Sequence, residues 1–111
     1  MFEELFGNKN IEKILFYLLM NEKAYATELS TCFGTALAPW QKALERLENA
    51  GVLISTLRGK TRLFEFNPRY FFLNELRILI SKGYQQLPNK IKETYYERKI
   101  RKRPRKKGKQ L

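Results

Sequence analysis

The chain has 111 residues, enough for one small domain with a single core, and its 43 % hydrophobic and 14 % aromatic content can fill that core. It contains no His and no Asp. These absences exclude a Ser-His-Asp triad, a zinc site with His ligands and an Asp-based Mg²⁺ site. The sequence therefore predicts a protein that is not an enzyme and that holds no metal and no cofactor.

Location and redox state are predicted from equally simple features. No apolar run reaches the roughly 20 residues that a membrane span needs. The first residues, MFEELFGNKN, lack the basic start of a secretory signal. We therefore expect a cytoplasmic protein with no membrane partner, and a nucleoid-associated one if it binds DNA. The lone cysteine, Cys32, can form no internal disulfide, and we expect a buried structural thiol rather than a redox or metal sensor.

The net charge of +11 is unevenly distributed. Residues 98–111, RKIRKRPRKKGKQL, hold nine basic residues and no acidic one, whereas residues 1–97 hold thirteen basic and eleven acidic residues. Such a polycationic tail binds polyanions, most often nucleic acid, although it can also act only as a solubilising segment. The tail residues predicted to bind nucleic acid are Arg98, Lys99, Arg101, Lys102, Arg103, Arg105, Lys106 and Lys107.

The first half of the chain predicts three helices. The first follows from apolar residues with helical spacing, Ile11, Ile14, Leu15 and Leu18. Asn10 can cap this helix, which ends near Asn21. A second, short helix can be capped by Thr27, and Gly34 follows it as a C-terminal stop. The third helix covers about residues 36–49, with Trp40, Leu44 and Leu47 facing inward, and ends before Gly51.

After Gly51 the apolar period changes from helical to alternating. The segments VLISTLR and TRLFEFN predict a two-stranded hairpin with a basic tip around Gly59. Asn67 and Pro68 are suited to the start of a fourth helix, from about Arg69 to Leu87. We further expect a C-terminal helix over 88–103 and a disordered basic tail over 104–111.

This order of elements predicts an α+β, mainly α fold. Three helices, a two-stranded β-hairpin wing and one or more C-terminal helices are the arrangement of a winged helix-turn-helix domain, here residues 1–87. In that architecture the third helix lies in the DNA major groove, and the wing reaches the adjacent backbone or minor groove.

Four segments carry a resemblance to a known family: LFGNKNIEKILFYLL, AYATELS, QKALERLENAGVL and LRGKTRLFEFNP. Together they resemble the ArsR-like winged helix regulators of bacteria and archaea over about residues 5–80. In particular, they resemble the group that begins with Leu-Phe-Gly, here Leu5-Phe6-Gly7. Some members of that group are fused to, or encoded beside, minimal nucleotidyltransferases. The resemblance implies a DNA-binding transcription factor that works as a homodimer. The chain lacks the Cys and His ligands of the metal-sensing branch, so we expect no metal response.

Candidate DNA contacts fall on the third helix and on the wing. On the third helix they are Thr35, Ala38, Gln41, Lys42 and Arg46, and on the wing they are Arg58, Lys60 and Arg62. Gln41 and Lys42 can reach base edges, because Gln pairs with adenine and Lys donates to guanine. Arg46 is better placed for phosphate, although Lys42 and Arg46 would also suit an ordinary solvated helix face.

The fourth helix carries more apolar side chains than one small wing can cover. The residues predicted at a dimer interface are Phe72, Leu76, Leu79 and Ile80. The same helix could instead complete the core of a monomer.

Two other functions stay open at the level of sequence. The first is an RNA- or ribonucleoprotein-binding protein that uses the polybasic tail. The second is an interaction partner of a separately encoded enzyme. A fold alone does not choose among them.

Overall fold

A computed structural model describes residues 1–98 of the chain. The elements in chain order are α1 (Glu3–Phe6), α2 (Lys9–Asn21), β1 (Lys23–Tyr25), α3 (Ala26–Phe33), α4 (Leu37–Asn49), β2 (Leu53–Arg58), β3 (Thr61–Phe66), α5 (Leu73–Gln85) and α6 (Asn89–Ile91), which a π-helical segment, Lys92–Tyr96, continues. The three strands form an antiparallel sheet of order β1-β3-β2. The predicted class, α+β and mainly helical, is confirmed. Within the described range, no helix has the length and apolarity to cross a membrane.

Helix α2 is the centre of the core and contacts α4, α5 and the π-helical segment. Ile14 and Phe16 in it have no exposed surface. The helix begins at Lys9, so the predicted cap at Asn10 is wrong by two residues. Asn8 caps it instead, because its extended backbone lets its side-chain oxygen accept the Asn10 N–H at 2.7 Å.

Strand β1 was not predicted from the sequence, and it lies in the connection between α2 and α3. Its central residue, Ala24, is buried and pairs with Phe64 of β3. Helix α3 then begins at Ala26, so Thr27 lies inside the first turn and does not cap it. The Tyr25 N–H donates instead to Glu28 Oε1 at 2.9 Å. The predicted stop at Gly34 is confirmed by its left-handed φ of 65°.

The predicted hairpin is confirmed. Strands β2 and β3 pair from Leu53 opposite Phe66 to Arg58 opposite Thr61, which leaves a two-residue loop. Its first residue, Gly59, has a φ of 64°, as tight hairpin loops require. Strand β1 pairs only with residues 63–65 of β3, so the outer half of the hairpin is two-stranded.

Helix α5 begins at Leu73 rather than at Arg69, because Asn67 closes a turn instead of capping a helix. The Asn67 side chain donates to the Gly51 carbonyl at 2.9 Å and accepts the Arg69 N–H at 3.0 Å. The Tyr70 N–H donates to the Asn67 carbonyl at 3.0 Å. The bond to Gly51 joins the end of the hairpin to the end of α4, and the other two close the turn before α5.

The C-terminal segment is part of the same core. Its π-helical turn, closed by the Glu97 N–H and the Lys92 carbonyl at 2.8 Å, presents two neighbouring tyrosines to the interior. Tyr95 stacks on Phe33 with ring centres 4.9 Å apart. Tyr96 is buried with its ring edge-on to Phe16 at 5.7 Å. The described part of the predicted 88–103 helix is therefore helical over Asn89–Tyr96. Residues 99–103 and the predicted disordered tail, 104–111, lie outside the described residues.

The N-terminus packs against α2 and α5. The Phe2 ring lies against Gly83 of α5, where a Cβ would come within 2.5 Å of it. Its ring centre is 6.2 Å from that of Phe16. A side chain at position 83 would thus displace Phe2 from the core.

We expect Tyr96→Ala to lower the free energy of unfolding by about 3–5 kcal/mol, as removal of large buried aromatic side chains does. Ile91→Ala is the matched control, since Ile91 lies in the same segment and is partly exposed; it should lower stability by much less. Urea denaturation followed by circular dichroism measures both values. Equal effects of the two substitutions would contradict the inclusion of this segment in the core.

A second prediction concerns alkaline pH. Burial raises the pKa of Tyr84, and the hydrogen bond from its hydroxyl to Glu97 Oε2 at 2.7 Å raises it further. Burial also raises the pKa of Tyr96. The unfolded chain loses these protons first, so the free energy of unfolding should fall as pH rises above about 10, the ordinary tyrosine pKa.

Below about pH 10 both tyrosines keep their protons in the folded and the unfolded chain, so their full contribution to the free energy of unfolding is present. Denaturation over a pH series measures the fall, and the double variant Tyr84→Phe, Tyr96→Phe separates it from lysine titration. If the free energy of unfolding falls equally steeply with pH in that variant, the two phenols do not cause the fall.

Candidate nucleic-acid interface

Helix α4 has one buried and one exposed face, because its apolar residues recur with helical spacing. The buried residues are Trp40, Ala43, Leu44 and Leu47. The opposite surface is exposed and carries the predicted contacts Ala38, Gln41, Lys42 and Arg46. Pro39 lies in the first turn, where its missing N–H breaks no helical hydrogen bond.

The turn before α4 is fixed by a cluster of hydrogen bonds around Thr35. The Trp40 indole N–H donates to Thr35 Oγ1 at 2.8 Å. The Thr35 N–H donates to the Ser30 carbonyl at 3.2 Å, and the Ser30 hydroxyl donates to the Thr35 carbonyl at 2.6 Å. Thr35 does not cap α4, since Ala36 occupies that position. The Thr35 hydroxyl oxygen accepts the hydrogen bond from the Trp40 indole. The hydroxyl can therefore still donate its proton to an acceptor outside the chain.

A groove of about 390 Å³ separates α4 from the hairpin. We call it the α4–hairpin groove and define it by its polar lining: Tyr25, Thr27, Gln41, Glu45, Glu48, Lys60, Thr61 and Arg62. Two of the predicted wing cations thus line the same groove as Gln41, and the third, Arg58, is exposed at the hairpin tip. The first turn of α3 closes one side of the groove.

A chain of hydrogen bonds ties the hairpin to α4. Arg62 donates to the Ser55 hydroxyl oxygen at 3.2 Å, and the Ser55 hydroxyl donates to Glu48 Oε2 at 2.7 Å. Sequence reasoning missed the roles of Ser55 and Glu48. The sequence of β2 does indicate a special role for Ser55. Ser55 is a polar residue between Leu53 and Leu57 on one face of the strand, opposite Phe64 of β3.

The predicted cations do not form one continuous patch. Lys60 and Arg62 lie on the hairpin side of α4. Arg46 lies on the other side, where its guanidinium is beside Gly7 in the turn between α1 and α2. Glu45 and Glu48 lie among the hairpin cations. The groove itself therefore carries both signs of charge, and cations flank it.

The C-terminal segment leaves the core beside α3. Arg98 is exposed and lines a separate cavity of about 370 Å³ together with Thr31, Cys32 and Tyr95. The half-buried Cys32 thiol donates to the Tyr95 carbonyl at 3.2 Å, which is a structural contact. The other predicted tail residues lie outside the described range: Lys99, Arg101, Lys102, Arg103, Arg105, Lys106 and Lys107.

The residues predicted at a dimer interface divide between two faces of α5. Ile80 has no exposed surface and packs in the chain's own core, so its assignment to an interface is wrong. Leu76 is half-buried, and Phe72 and Leu79 are exposed. Phe71 and Ile78, which sequence reasoning missed, are 85 % and 60 % exposed. Large apolar side chains thus remain uncovered at the start and along the outer face of α5.

A comparison with models of known protein families gives no match, and neither does a comparison with curated protein sequences. Among residues 1–98, no three His, Cys, Asp or Glu side chains converge in a way that could hold a metal ion.

The link between Glu48 and Ser55 gives a stability prediction. We expect Glu48→Ala to lower the free energy of unfolding by about 1 kcal/mol more than Glu45→Ala does, because of the two side chains only that of Glu48 accepts a hydrogen bond within residues 1–98. Both are glutamates of α4, so helix propensity cancels in the comparison. Urea denaturation measures the difference, and equal values would show that the link does not stabilise the hairpin.

Proposed function

We propose that this protein is a winged helix-turn-helix DNA-binding transcriptional regulator. One observation carries the proposal: an exposed helix face with free polar side chains lies beside a basic hairpin, across a groove. Helices α3 and α4 with their fixed turn would be the helix-turn-helix, and β2–β3 would be the wing. Helix α4 would enter the major groove, which is wide enough to admit an α-helix.

The local contacts support separate roles for the side chains. No intramolecular hydrogen bond or ion pair involves the side chains of Gln41 and Lys42 within residues 1–98, so both can pair with base edges without first breaking a contact. Ala38 would face a thymine methyl group. The Thr35 hydroxyl, Arg46 and the wing cations Arg58, Lys60 and Arg62 would bind phosphates, which position a protein on DNA without reading sequence. Such a protein would act in the cytoplasm, on the nucleoid.

We extend the proposal to a homodimer formed through the outer face of α5. Ile78 and Leu79 are exposed on α5, and Phe71 and Phe72 are exposed directly before its first residue. Large exposed apolar side chains close to one another mark interaction sites. Two copies would place two α4 helices on one DNA duplex, and paired half-sites would follow. The same patch would suit docking on a separately encoded enzyme, so the oligomeric state of the isolated chain distinguishes the two.

Binding to duplex DNA tests the proposal. The full chain and a truncation after Arg98 are compared on duplex DNA, single-stranded DNA and RNA over a salt series, after selection of a preferred duplex from a random library. We expect both proteins to prefer the selected duplex. The tail should steepen the salt dependence, because each neutralised phosphate adds about −0.9 to the slope of log K against log salt concentration.

The double variant Gln41→Ala, Lys42→Ala should lower affinity for the selected duplex by about 1–3 kcal/mol for each lost base contact. Gln86→Ala with Lys90→Ala is the control pair, since both residues are exposed and lie away from α4. Loss of all binding with the tail, without any preference for duplex DNA, would favour the RNA-binding alternative and refute the proposal.

Substitution in the patch tests the dimer. We expect the wild-type chain to be a dimer at micromolar concentration by light scattering, and Phe72→Glu with Ile78→Glu to make it a monomer because both charges would be buried at the interface. Thr56→Glu, on the exposed face of β2, is the control. A monomeric wild-type chain would refute this part of the proposal.

A further inference from the structure

The α4–hairpin groove contains two carboxylates with different contacts, Glu45 and Glu48. Glu45 is exposed on α4 and lines the groove. Within residues 1–98, no hydrogen bond or ion pair involves its side chain. Glu48, one turn further along, is engaged by Ser55. The two glutamates of the groove therefore differ: Glu48 holds the hairpin, and Glu45 is free to bind an outside group.

A free carboxylate at this position is unsuited to a surface that binds only phosphates. Glu45 lies between Gln41 and Glu48 along the helix and shares the groove with the cations Lys60 and Arg62. Like charges repel, so Glu45 would weaken every contact that depends on phosphate alone. The major groove offers one base-edge partner that suits it. The N4 amino group of cytosine is a hydrogen-bond donor, and Glu or Asp accepts from it.

We propose that Glu45 is a specificity-determining residue that accepts a hydrogen bond from the N4 amino group of a cytosine in the major groove. The inference rests on the proposed function and adds the identity of one base in the bound sequence. It also gives Glu45 a role that depends on the base pair, whereas Lys60 and Arg62 contribute at any sequence.

The position of Gln41 makes the inference more specific. Gln41 and Glu45 are four residues apart on α4 and line the same groove, so they are separated by about 6 Å along the helix axis. Base pairs are stacked about 3.4 Å apart. If Gln41 pairs with adenine, its preferred partner, the adenine and the cytosine should lie at most about two base pairs apart in each half-site, since a tilt of α4 against the DNA axis shortens the projected distance.

Selection from a random duplex library tests the proposal with the full chain. Wild-type protein, Glu45→Gln and Glu4→Gln are each used to select bound duplexes, which are then sequenced. Glu4 is an exposed residue of α1 and serves as the control. We expect wild type and Glu4→Gln to select the same cytosine. Glu45→Gln should select adenine at that position, because a glutamine pairs with adenine.

Deletion of the amino group tests the contact itself. The selected cytosine is replaced by pyrimidin-2-one, which lacks the N4 amino group. Wild-type affinity should fall about tenfold more than that of Glu45→Ala, the size expected for one lost base contact. Glu45→Ala should also bind duplexes without the site more tightly than wild type does, since it removes a repulsive charge. A substitution that only disturbed the fold would weaken both kinds of binding.

The outcomes separate the two proposals. If wild type selects a sequence and Glu45→Gln selects the same one, cytosine included, the role of Glu45 is refuted and the DNA-binding function stands. If wild type selects no duplex sequence at all, both proposals fail. A change from cytosine to adenine at one position only, with the rest of the sequence retained, supports both.

Discussion

The geometry of the proposed interface depends on the burial of Trp40. Its indole ring has no exposed surface, its N–H donates to Thr35 in the turn before α4, and its face stacks on Phe33 of α3 at 5.2 Å. Phe33 in turn stacks on Tyr95 of the C-terminal segment. One aromatic column therefore fixes the angle between α3 and α4, joins both to the C-terminal segment, and determines which side of α4 faces outward.

The charges of the exposed surface are arranged differently from a uniform cationic patch. Along α4 the charged side chains alternate in sign, from Lys42 to Glu45, Arg46 and Glu48. Within residues 1–98 the side chains of Gln41 and Glu45 make no hydrogen bond or ion pair, whereas Glu48 accepts a hydrogen bond from Ser55 of the hairpin. A surface of this kind attracts DNA weakly but can discriminate among bases, because each mismatched group leaves a polar atom unsatisfied. Affinity would then depend mainly on the hairpin tip, on a second copy of the chain and on the basic residues that follow Arg98.

The spacing of apolar residues predicted the main helices and strands. It failed where a contact between residues distant in sequence decides where an element forms or begins. The buried face of α4, the hairpin and the stop at Gly34 depend on local spacing and on a local backbone requirement, so they were predictable. Strand β1 has three residues and forms only because β3 lies beside it, and no local pattern indicates this.

The start of α5 and the role of Ile80 were mistaken for the same reason. The Asn67 side chain donates to the distant Gly51 carbonyl and forms a turn, and Ile80 is buried because α5 packs in the core against α2. The candidate site was predictable as a set of residue types on α4 and the hairpin. The hydrogen bonds from Arg62 to Ser55 and from Ser55 to Glu48 could not be predicted from the sequence. The difference between Glu48 and Glu45 was therefore visible only in the three-dimensional structure.

The partial cover that β1 gives to the hairpin has a consequence for local stability. The inner half of the hairpin lies in a three-stranded sheet, whereas the outer half, from Leu57 to Arg62, has only its own two strands. Amide protons in the inner half of β3 should therefore exchange with solvent much more slowly than those near the tip. The basic residues Arg58, Lys60 and Arg62 all lie in the outer half. Arg58 and Lys60 are thus carried on a segment that can open locally, whereas Arg62 and the base of the hairpin stay linked to α4 through Ser55 and Glu48. In the proposed DNA complex, local opening would let Arg58 and Lys60 follow the shape of the duplex.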